Sequence, residues 1–236
     1  MVTLVEDIGF AQTGLLPSLV SDYITGSSAI SFLTKYPFQF SAFKNVIADK
    51  EKDSTNRKQL VDVLQSQYSN IPTSQIVTAN IQSLLSKNTF TVVAAHQPCL
   101  FMGPLYNIYK ISCTINICKQ LKQQFPDYNF VPVFWMGSED HDVEELNHAY
   151  VNGKKIEWRD SGRGAVGRWQ TATLQSAIDE LKAVSANSEI ISILEAGEKK
   201  YKTFGRFTQY FVNEIFKEQG LVVIDQDDIE LKKKFS

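Results

Sequence analysis

The sequence lacks the long apolar runs and the charge bias that would assign it to a membrane or to nucleic acid. No apolar run reaches the roughly 18 residues that a spanning helix needs. The chain has 24 Lys and Arg against 26 Asp and Glu, so no strong basic field points to nucleic acid or to an anionic membrane surface. Residues 1–14 carry no basic segment of the kind that opens a secretory signal. These absences predict a cytoplasmic protein that acts on small molecules, with neither nucleic acid nor membrane as partner.

The sequence also has few cysteines. The three, Cys99, Cys113 and Cys118, form no CxxC pair, which argues against a disulfide framework or a zinc knuckle. Cys113 and Cys118 fall in an apolar helical stretch and are interpreted as core residues. Cys99 falls in a loop, and because nothing in the sequence marks a base for it, it is interpreted as a small loop residue.

What is present is a pattern of strands and helices that predicts an α/β fold. Residues 90–95, 130–136 and 221–225 are short apolar runs of the kind found in buried strands. A helix extending to about residue 124 joins the first two strands into a βαβ unit. Pro132 is expected near the start of its strand or at a sheet edge. Asn152-Gly153 predicts a β-hairpin with a tight turn.

The helix between the first two strands is expected to be buried on most sides. Its apolar positions form two adjacent stripes, which leave only a narrow polar strip of Asn107, Lys110 and Thr114. Helices are also expected over residues 173–186 and 198–218, and apolar residues at helical spacing predict helices before residue 88.

The first candidate loop, residues 96–104, follows the first strand and leads into the long helix. Ligands of open α/β sheets bind beyond the carboxyl ends of the strands, and a helix N-terminus favours a phosphate or a carboxylate. Gly103 would let a ligand approach the backbone, Pro104 suits the first turn of the helix, and Lys110 could reach back toward the same anion. The alternative is a loop that only starts a helix, with Lys110 extending into solvent.

The second candidate loop, residues 138–142 (Ser-Glu-Asp-His-Asp), follows the second strand. Three carboxylates and a histidine are costly to crowd together unless a cation, an amine or proton chemistry uses them. His141 could act as a general base that a neighbouring carboxylate orients. The alternative is a solvated cluster that caps a helix. A metal site is the weaker interpretation, since no second set of ligands has a recognisable spacing.

Three weaker candidates remain, of which only Asp225 is expected at the same sheet edge. Asp225 follows the third strand, where it could contact a ribose or an amine, or cap a helix. Arg168 belongs to a Gly-rich basic segment that could close over an anion or form a plain solvated loop. His148 lies near the hairpin and is interpreted as structural.

Two blocks of sequence stand out: His96-Gln97-Pro98 with residues 103–106, and residues 131–136 with residues 139–142. Through these blocks nearly the whole chain, and residues 92–148 most specifically, resembles the bacillithiol biosynthesis cysteine-adding enzyme family. One departure is Ala94-Ala95-His96-Gln97, where many members have Thr-Gly-Gln-Gln. The residues that carry the resemblance are 96–98, 103–106, 108–110, 131–136, 139–142, Glu145, Asn147 and His148, with residues 220–225, 227–228 and 230–232 after them and a short stretch around residues 16–26 before them.

The resemblance implies a Rossmann-like parallel sheet core related to class I aminoacyl-tRNA synthetases and nucleotidyltransferases. Residues 89–236 would form that core, with an insertion around residues 147–170 that includes the hairpin, and residues 1–88 would be an N-terminal helical segment packed on it. Family members are roughly twice this length, which implies a truncated chain that stops before further strands and a long coiled coil used for homodimerisation.

The implied reaction joins cysteine to glucosaminyl-malate, the last step of bacillithiol biosynthesis, with ATP as the expected energy source and no metal assigned. Two alternatives remain: a nucleotidyltransferase with another acceptor, and a non-catalytic fragment that binds a partner. Catalytic roles are expected for His96, Asp140, His141 and Asp142. Substrate or nucleotide binding is expected for Gln97, Gly103, Pro104, Tyr106, Lys110, Glu139 and Asp225.

Overall fold

The computed structural model describes residues 8–159 and 162–233, which fall into two compact units. The first unit ends at Thr55 and the second begins at Asn56. The described part of the first unit is helical, as the N-terminal apolar pattern predicts. It contains α1 (Phe10–Thr13), α2 (Ser18–Thr25) and α3 (Phe43–Lys50), with 3-10 turns at Ser28–Ile30 and Phe40–Ala42.

The second unit combines helices with all five strands of the described chain. Its helices are α4 (Arg57–Tyr68), α5 (Gln75–Ser83), α6 (Tyr106–Gln124), α7 (Val143–Leu146), α8 (Gln175–Lys182), α9 (Ser188–Lys200), α10 (Phe204–Phe216) and α11 (Ile229–Lys232). Within residues 8–159 and 162–233, none of the helices has the length and apolar character needed to cross a membrane.

The single helix predicted over residues 198–218 is wrong, because the chain is extended between α9 and α10. Tyr201 has φ of −107° and ψ of 123°, and Thr203 forms an isolated antiparallel bridge with Gln170. Apolar periodicity continues on both sides of this break, so the pattern alone does not reveal it.

The strands are β1 (Thr89–His96), β2 (Asn129–Met136), β3 (His148–Val151), β4 (Lys154–Glu157) and β5 (Val222–Asp225). The core of the second unit is a three-stranded parallel sheet in the order β1-β2-β5, and a separate antiparallel hairpin is formed by β3 and β4. His96 at the end of β1 pairs with Met136 of β2, which pairs with Asp225 of β5. The α/β parallel-sheet prediction is therefore confirmed, and the carboxyl ends of the three strands meet at one edge.

Pro132 departs from its predicted position, because it lies within the central strand β2, opposite Val92. A proline has no N–H to give to a sheet ladder, so it is normally confined to edges and strand starts. Here β5 pairs with β2 only from Val133 onward. Pro132 therefore lies where β2 is paired on one side alone.

The helix α6 presents one buried face rather than the nearly complete burial that its apolar stripes predict. Tyr106 is 52% and Tyr109 63% exposed, and Cys113 is exposed rather than in the core. Two residues of the predicted polar strip, Asn107 and Thr114, are buried instead. The Thr114 hydroxyl donates a hydrogen bond to the backbone carbonyl of Lys110 at 2.9 Å. Because this bond satisfies the hydroxyl within the helix, the threonine can be buried.

Side chains of α4 occupy the outer edge of β5. The backbone N–H of Val223 donates to the Tyr68 hydroxyl at 2.7 Å, and that of Asp225 donates to Gln67 Oε1 at 2.9 Å. Gln67 Nε2 returns a hydrogen bond to the carbonyl of Asp225 at 3.0 Å. These bonds satisfy edge groups that a neighbouring strand would otherwise take.

The β3-β4 hairpin forms where the Asn-Gly pair predicts it. Asn152 and Gly153 have φ of 51° and 78°, the positive values that a tight two-residue hairpin turn requires. Beyond β4, the N–H of Trp158 donates to the carbonyl of Asn147 at 2.7 Å, so the pairing extends past the strand end. The hairpin thereby holds His148 and Tyr150 in fixed positions after α7.

Candidate functional site

The loop after β1 enters α6 by a sharply turned path. A 3-10 turn at Leu100–Met102 includes two non-glycine residues with positive φ, Phe101 and Met102, and the Gly103–Pro104 peptide bond is cis. The helix begins at Tyr106, two residues after Pro104. A Cβ on Gly103 would lie 3.3 Å from Cβ of Ala149. Gly103 therefore serves close packing against β3, which the sequence alone does not indicate.

A pocket of about 500 Å³ opens between this loop, the start of α6, α7 and β3. Five residues predicted as site residues from the sequence contribute to its wall. These five are His96, Gln97, Gly103, Pro104 and Tyr106.

His96 is buried in the wall of this pocket, with 8% of its surface exposed. Its Nδ1 lies 3.0 Å from the backbone nitrogen of Gln97 and contacts that residue's side-chain oxygen, to which it donates in the tautomer that leaves Nε2 unprotonated. Its Nε2 has no partner among the described atoms. Burial lowers the pKa of His96 below its ordinary value, and the nearby charge of Lys110 lowers it further against the opposing effect of Gln97. The imidazole is therefore neutral at pH 7 and has one ring nitrogen uncommitted.

Tyr106 and Lys110 flank His96. The Tyr106 ring stacks on the His96 ring with centroids 5.3 Å apart and planes 15° from parallel. Lys110 Nζ lies 5.2 Å from the centroid of Tyr106 and donates to the carbonyl of Ala95 at 3.3 Å. Lys110 is therefore close to the pocket, as its spacing predicts, but it is not part of the wall.

The pocket wall also includes Glu145, His148 and Tyr150, which were not predicted as site residues from the sequence. The His148 and Tyr150 rings meet edge to face with centroids 5.5 Å apart, and Nδ1 of His148 is buried without a partner in the described chain. The short helix α7 turns the chain between the second loop and β3. Glu145 and Tyr150, which follow His96 by 49 and 54 positions, therefore border the same cavity as His96. Glu145 and His148 carry part of the family resemblance, and this signal could have suggested them as site residues.

Cys99 also contributes to the pocket wall, but its thiol is unsuited to act as a nucleophile. The side chain is 4% exposed and contacts the carbonyl of Gln97 at 3.5 Å. Burial raises the pKa of Cys99 to about 12, so the thiolate is scarce at neutral pH. This supports its interpretation as a small loop residue.

The second loop, residues 138–142, lies beside the first, and the N–H of Gly137 donates to the carbonyl of His96 at 2.9 Å. None of its five residues belongs to the pocket wall. Asp140 Oδ1 accepts from the backbone N–H groups of His141 and Asp142 at 2.6 and 3.2 Å. Glu139 pairs with Lys232 at 2.6 Å. The carboxylate of Asp140 therefore serves the backbone of its own loop, whereas that of Glu139 forms an ion pair with α11.

His141 and Asp142 project from this loop as exposed side chains. Asp142 is the N-cap residue of α7, although its side chain makes no capping hydrogen bond. Neither side chain belongs to the pocket wall, so the structure does not bring these two predicted catalytic residues to His96. The Asp140 charge does act on His96, whose pKa it raises as a minor contribution.

Asp225 closes the sheet edge rather than opening toward the pocket. Its Oδ1 accepts from the Ser138 hydroxyl and from the N–H of Asp227, the latter at 3.0 Å. Burial raises the pKa of Asp225, against the hydrogen bond from Ser138. A Cβ on Gly167 would lie 2.6 Å from Cβ of Ser138. The 3-10 turn at Val166–Arg168 therefore packs closely against Ser138, the first residue of the second loop.

Arg168 is engaged in an ion pair. Its Nε and Nη2 donate to the two carboxylate oxygens of Asp227 at 2.7 and 2.9 Å, a bidentate arrangement. Lys232 also pairs with Asp227. Arg168 therefore anchors its segment to the loop after β5. Among the residues that the structure describes, no three His, Cys, Asp or Glu side chains are grouped so that they could hold a metal ion.

An open parallel α/β sheet with a polar pocket beyond the carboxyl ends of its strands is the arrangement of Rossmann-like ligand-binding domains. The model of the family described as "Bacillithiol biosynthesis BshC, N-terminal Rossmann-like domain" matches residues 4–236. The chain belongs to this family, which confirms the resemblance drawn from residues 92–148.

Curated relatives agree with this assignment. The proteins of Flavobacterium psychrophilum and Christiangramia forsetii, each named "Putative cysteine ligase BshC", are 39% and 41% identical to this chain. A protein of the same name from Bacillus cereus is 26% identical. Each match covers 97% of this chain and 44% of the relative. The chain thus spans less than half the length of these relatives.

Proposed function

We propose that the protein joins cysteine to glucosaminyl-malate through an amide bond, which gives bacillithiol. Membership of the family and the cysteine-ligase names of its relatives support this reaction. The structural observation that carries it is a neutral, buried imidazole, His96, in the wall of a pocket of about 500 Å³ beyond the parallel sheet. Small-molecule sites of α/β proteins lie at this edge and have volumes of this order.

In the proposed reaction, the pocket holds the amine that attacks the activated carboxyl carbon of cysteine. The amine nitrogen forms the new C–N bond and loses a proton, while the leaving group departs from the carbonyl carbon. A neutral imidazole with an uncommitted nitrogen suits acceptance of that proton. We assign this role to His96. His141, on the neighbouring loop, is the competing candidate.

ATP is the proposed energy source, because a free carboxylate does not form an amide without activation. The pocket itself is a poor fit for a triphosphate. No Lys or Arg side chain belongs to its described wall, whereas the carboxylate of Glu145 does. Lys110, the nearest candidate cation, lies over Tyr106 and donates to a backbone carbonyl. We therefore assign the pocket to the amine substrate rather than to the nucleotide.

The test is a product assay on the protein as its gene expresses it. Incubation with cysteine, glucosaminyl-malate and ATP should give a compound whose mass is the sum of the two substrates minus water, detected by mass spectrometry. His96→Asn should lower kcat by about 100-fold or more, the usual contribution of a general base. His141→Ala, a change at an exposed position, should leave kcat unchanged.

Other outcomes would separate the alternatives. A nucleotidylated acceptor, formed without cysteine, would indicate a nucleotidyltransferase. Binding of glucosaminyl-malate without any turnover would indicate a binding fragment. Full activity in His96→Asn together with a large loss in His141→Ala would move the proton acceptor to the second loop.

A further inference from the structure

The wall of the pocket contributed by α7 and β3 carries an unpaired negative charge. Glu145 is exposed, and its carboxylate has no hydrogen bond or ion pair with any part of the chain that the structure describes. It is also the only acidic side chain in the described wall. The described wall contains no lysine or arginine, and the pKa of His96 is lowered, so that imidazole adds no positive charge at neutral pH. The pocket therefore favours a cationic group at this wall.

Two aromatic rings strengthen this preference. Tyr106 and Tyr150 both belong to the wall, each in contact with a histidine ring. The faces of aromatic rings attract ammonium groups within about 6 Å of the centroid. One of these rings already receives an ammonium group, since Lys110 Nζ lies 5.2 Å from the centroid of Tyr106.

His148 adds a hydrogen-bonding ring nitrogen to the wall that contains this carboxylate. It follows Glu145 by three residues, and its Nδ1 is a buried nitrogen without a partner in the described chain. An ammonium group has three N–H donors and no acceptor, so it can bond to a carboxylate and to a ring nitrogen together. A phosphate or a carboxylate would instead be repelled by Glu145.

We propose that Glu145, with His148 and Tyr150, binds the ammonium group of the amino sugar in glucosaminyl-malate. This assignment rests on the proposed ligase function and names the substrate group that this wall recognises. The size of the cavity favours the amino sugar over cysteine, whose seven heavy atoms would fill only a small part of about 500 Å³. Binding there places this group in the same pocket as His96. Before the reaction the ammonium group loses one proton to solvent, which gives the amine the lone pair that forms the C–N bond, and the second proton, released on amide formation, goes to His96.

Titration calorimetry with two ligands tests the assignment on the protein as its gene expresses it. The ligands are glucosaminyl-malate and its N-acetyl derivative, which keeps the sugar and the malate but has no ammonium group. The unaltered protein should bind the amine about tenfold more tightly, the size expected when one charged hydrogen bond is lost. Glu145→Gln should remove this preference by weakening binding of the amine, with binding of the N-acetyl derivative unchanged.

Glu144→Gln is the matched control, because Glu144 lies on the same short helix, is exposed and does not belong to the pocket wall. It should retain the tenfold preference. His148→Gln should reduce the preference partly. Glu145 has no described side-chain bond, so its substitution should leave the melting temperature unchanged, and a circular dichroism melt verifies this.

Three results would overturn the proposal. The first is an equal preference for the amine in Glu145→Gln and in the unaltered protein. The second is a loss of cysteine binding, rather than amino-sugar binding, in Glu145→Gln. The third is absence of binding of either sugar compound. If the product assay nevertheless yields bacillithiol, the first two results contradict the ammonium site alone. Absence of both binding and product contradicts the ligase function as well.

Discussion

Asp225 and Asp227 lie two positions apart, yet their surroundings shift their pKa values in opposite directions. Burial raises the pKa of Asp225, whose carboxylate accepts from Ser138. The bidentate hydrogen bonds from Arg168 lower the pKa of Asp227, and Lys232 lowers it further. The ionised form of Asp227 is therefore the one that the fold stabilises.

We expect Asp227→Asn to lower the free energy of unfolding by about 1 kcal/mol at pH 7, since one partner of the bidentate pair is mostly exposed. The folded-state pKa of Asp227 lies below its ordinary value. The stability it contributes is thus present above the ordinary pKa of the unfolded chain and is lost as the pH falls through the folded-state pKa. Urea unfolding at pH 7, 4 and 2.5 should show the two proteins converging at the lowest pH.

Asp62→Asn provides the comparison, because Asp62 belongs to an exposed i,i+4 pair with Lys58. Asp62→Asn should lower the free energy of unfolding by no more than about 0.5 kcal/mol. A difference between Asp227→Asn and the unaltered protein that stays constant from pH 7 to 2.5 would contradict the role assigned to the Asp227 charge.

At the residue scale, the sequence allows prediction of His96 and its loop but not of the opposite wall. His96 and Gly103 follow a recognisable strand, which places them at a sheet edge. Glu145 and His148 reach the same cavity because a four-residue helix reverses the chain and a hairpin then fixes His148. Such a path depends on tertiary contacts, and no local spacing encodes it.

The element whose environment departs most from its pattern is α6. Apolar residues on two stripes predict burial on most sides, whereas Tyr106 and Tyr109 are more than half exposed. Tyrosine has both an apolar ring and a polar hydroxyl, so its presence in a stripe does not distinguish a core from a pocket wall. The ring of Tyr106 contacts His96 and Lys110 rather than core residues.

The hydrogen bond from Val223 of β5 to Tyr68 of α4 should contribute measurably to stability. In Tyr68→Phe, the N–H of Val223 loses its acceptor inside the core, and an unsatisfied buried donor costs about 1–3 kcal/mol. Chemical unfolding at pH 7 measures this loss directly. Tyr109→Phe, at a position that is 63% exposed, should have almost no effect.

The same substitution should change the alkaline limb of the stability profile. Burial raises the pKa of Tyr68 above its ordinary value of 10.0. The folded protein keeps this proton at a pH where the unfolded chain has lost it, so the unaltered protein loses stability as the pH rises above about 10. As the pH rises above about 10, the free energy of unfolding should fall less in Tyr68→Phe than in Tyr109→Phe. An identical alkaline loss in both variants would contradict the buried, protonated state of Tyr68.

At the scale of the whole molecule, the division after Thr55 predicts where a protease acts first. Residues 51–56 are exposed and contain no helix or strand. Exposed segments without regular hydrogen bonding are preferred sites of limited proteolysis. Brief trypsin treatment should therefore cut first after Lys52 or at the neighbouring Lys50, as identified by mass spectrometry of the fragments.

The double variant Lys50→Gln/Lys52→Gln removes these cleavage positions and should delay the first cut. An unchanged cleavage rate in this variant, with a first cut inside residues 56–233, would contradict the exposed connection. The sequence pattern predicts one helical segment over residues 1–88 rather than a boundary after Thr55, because apolar residues at helical spacing occur on both sides of this position.

The side chains that occupy the outer edge of β5 leave the edge of β1 as the side where a further strand could pair with the sheet. Gln67 and Tyr68 hold the edge groups of Val223 and Asp225, so a strand arriving on that side would have to displace a helix. On the opposite side, no strand in the described chain pairs with the outer edge of β1. A strand added to this sheet, from this polypeptide or another, therefore joins next to His96. Its terminal loop would border the pocket, and variation in that one loop could alter substrate choice without changing the scaffold.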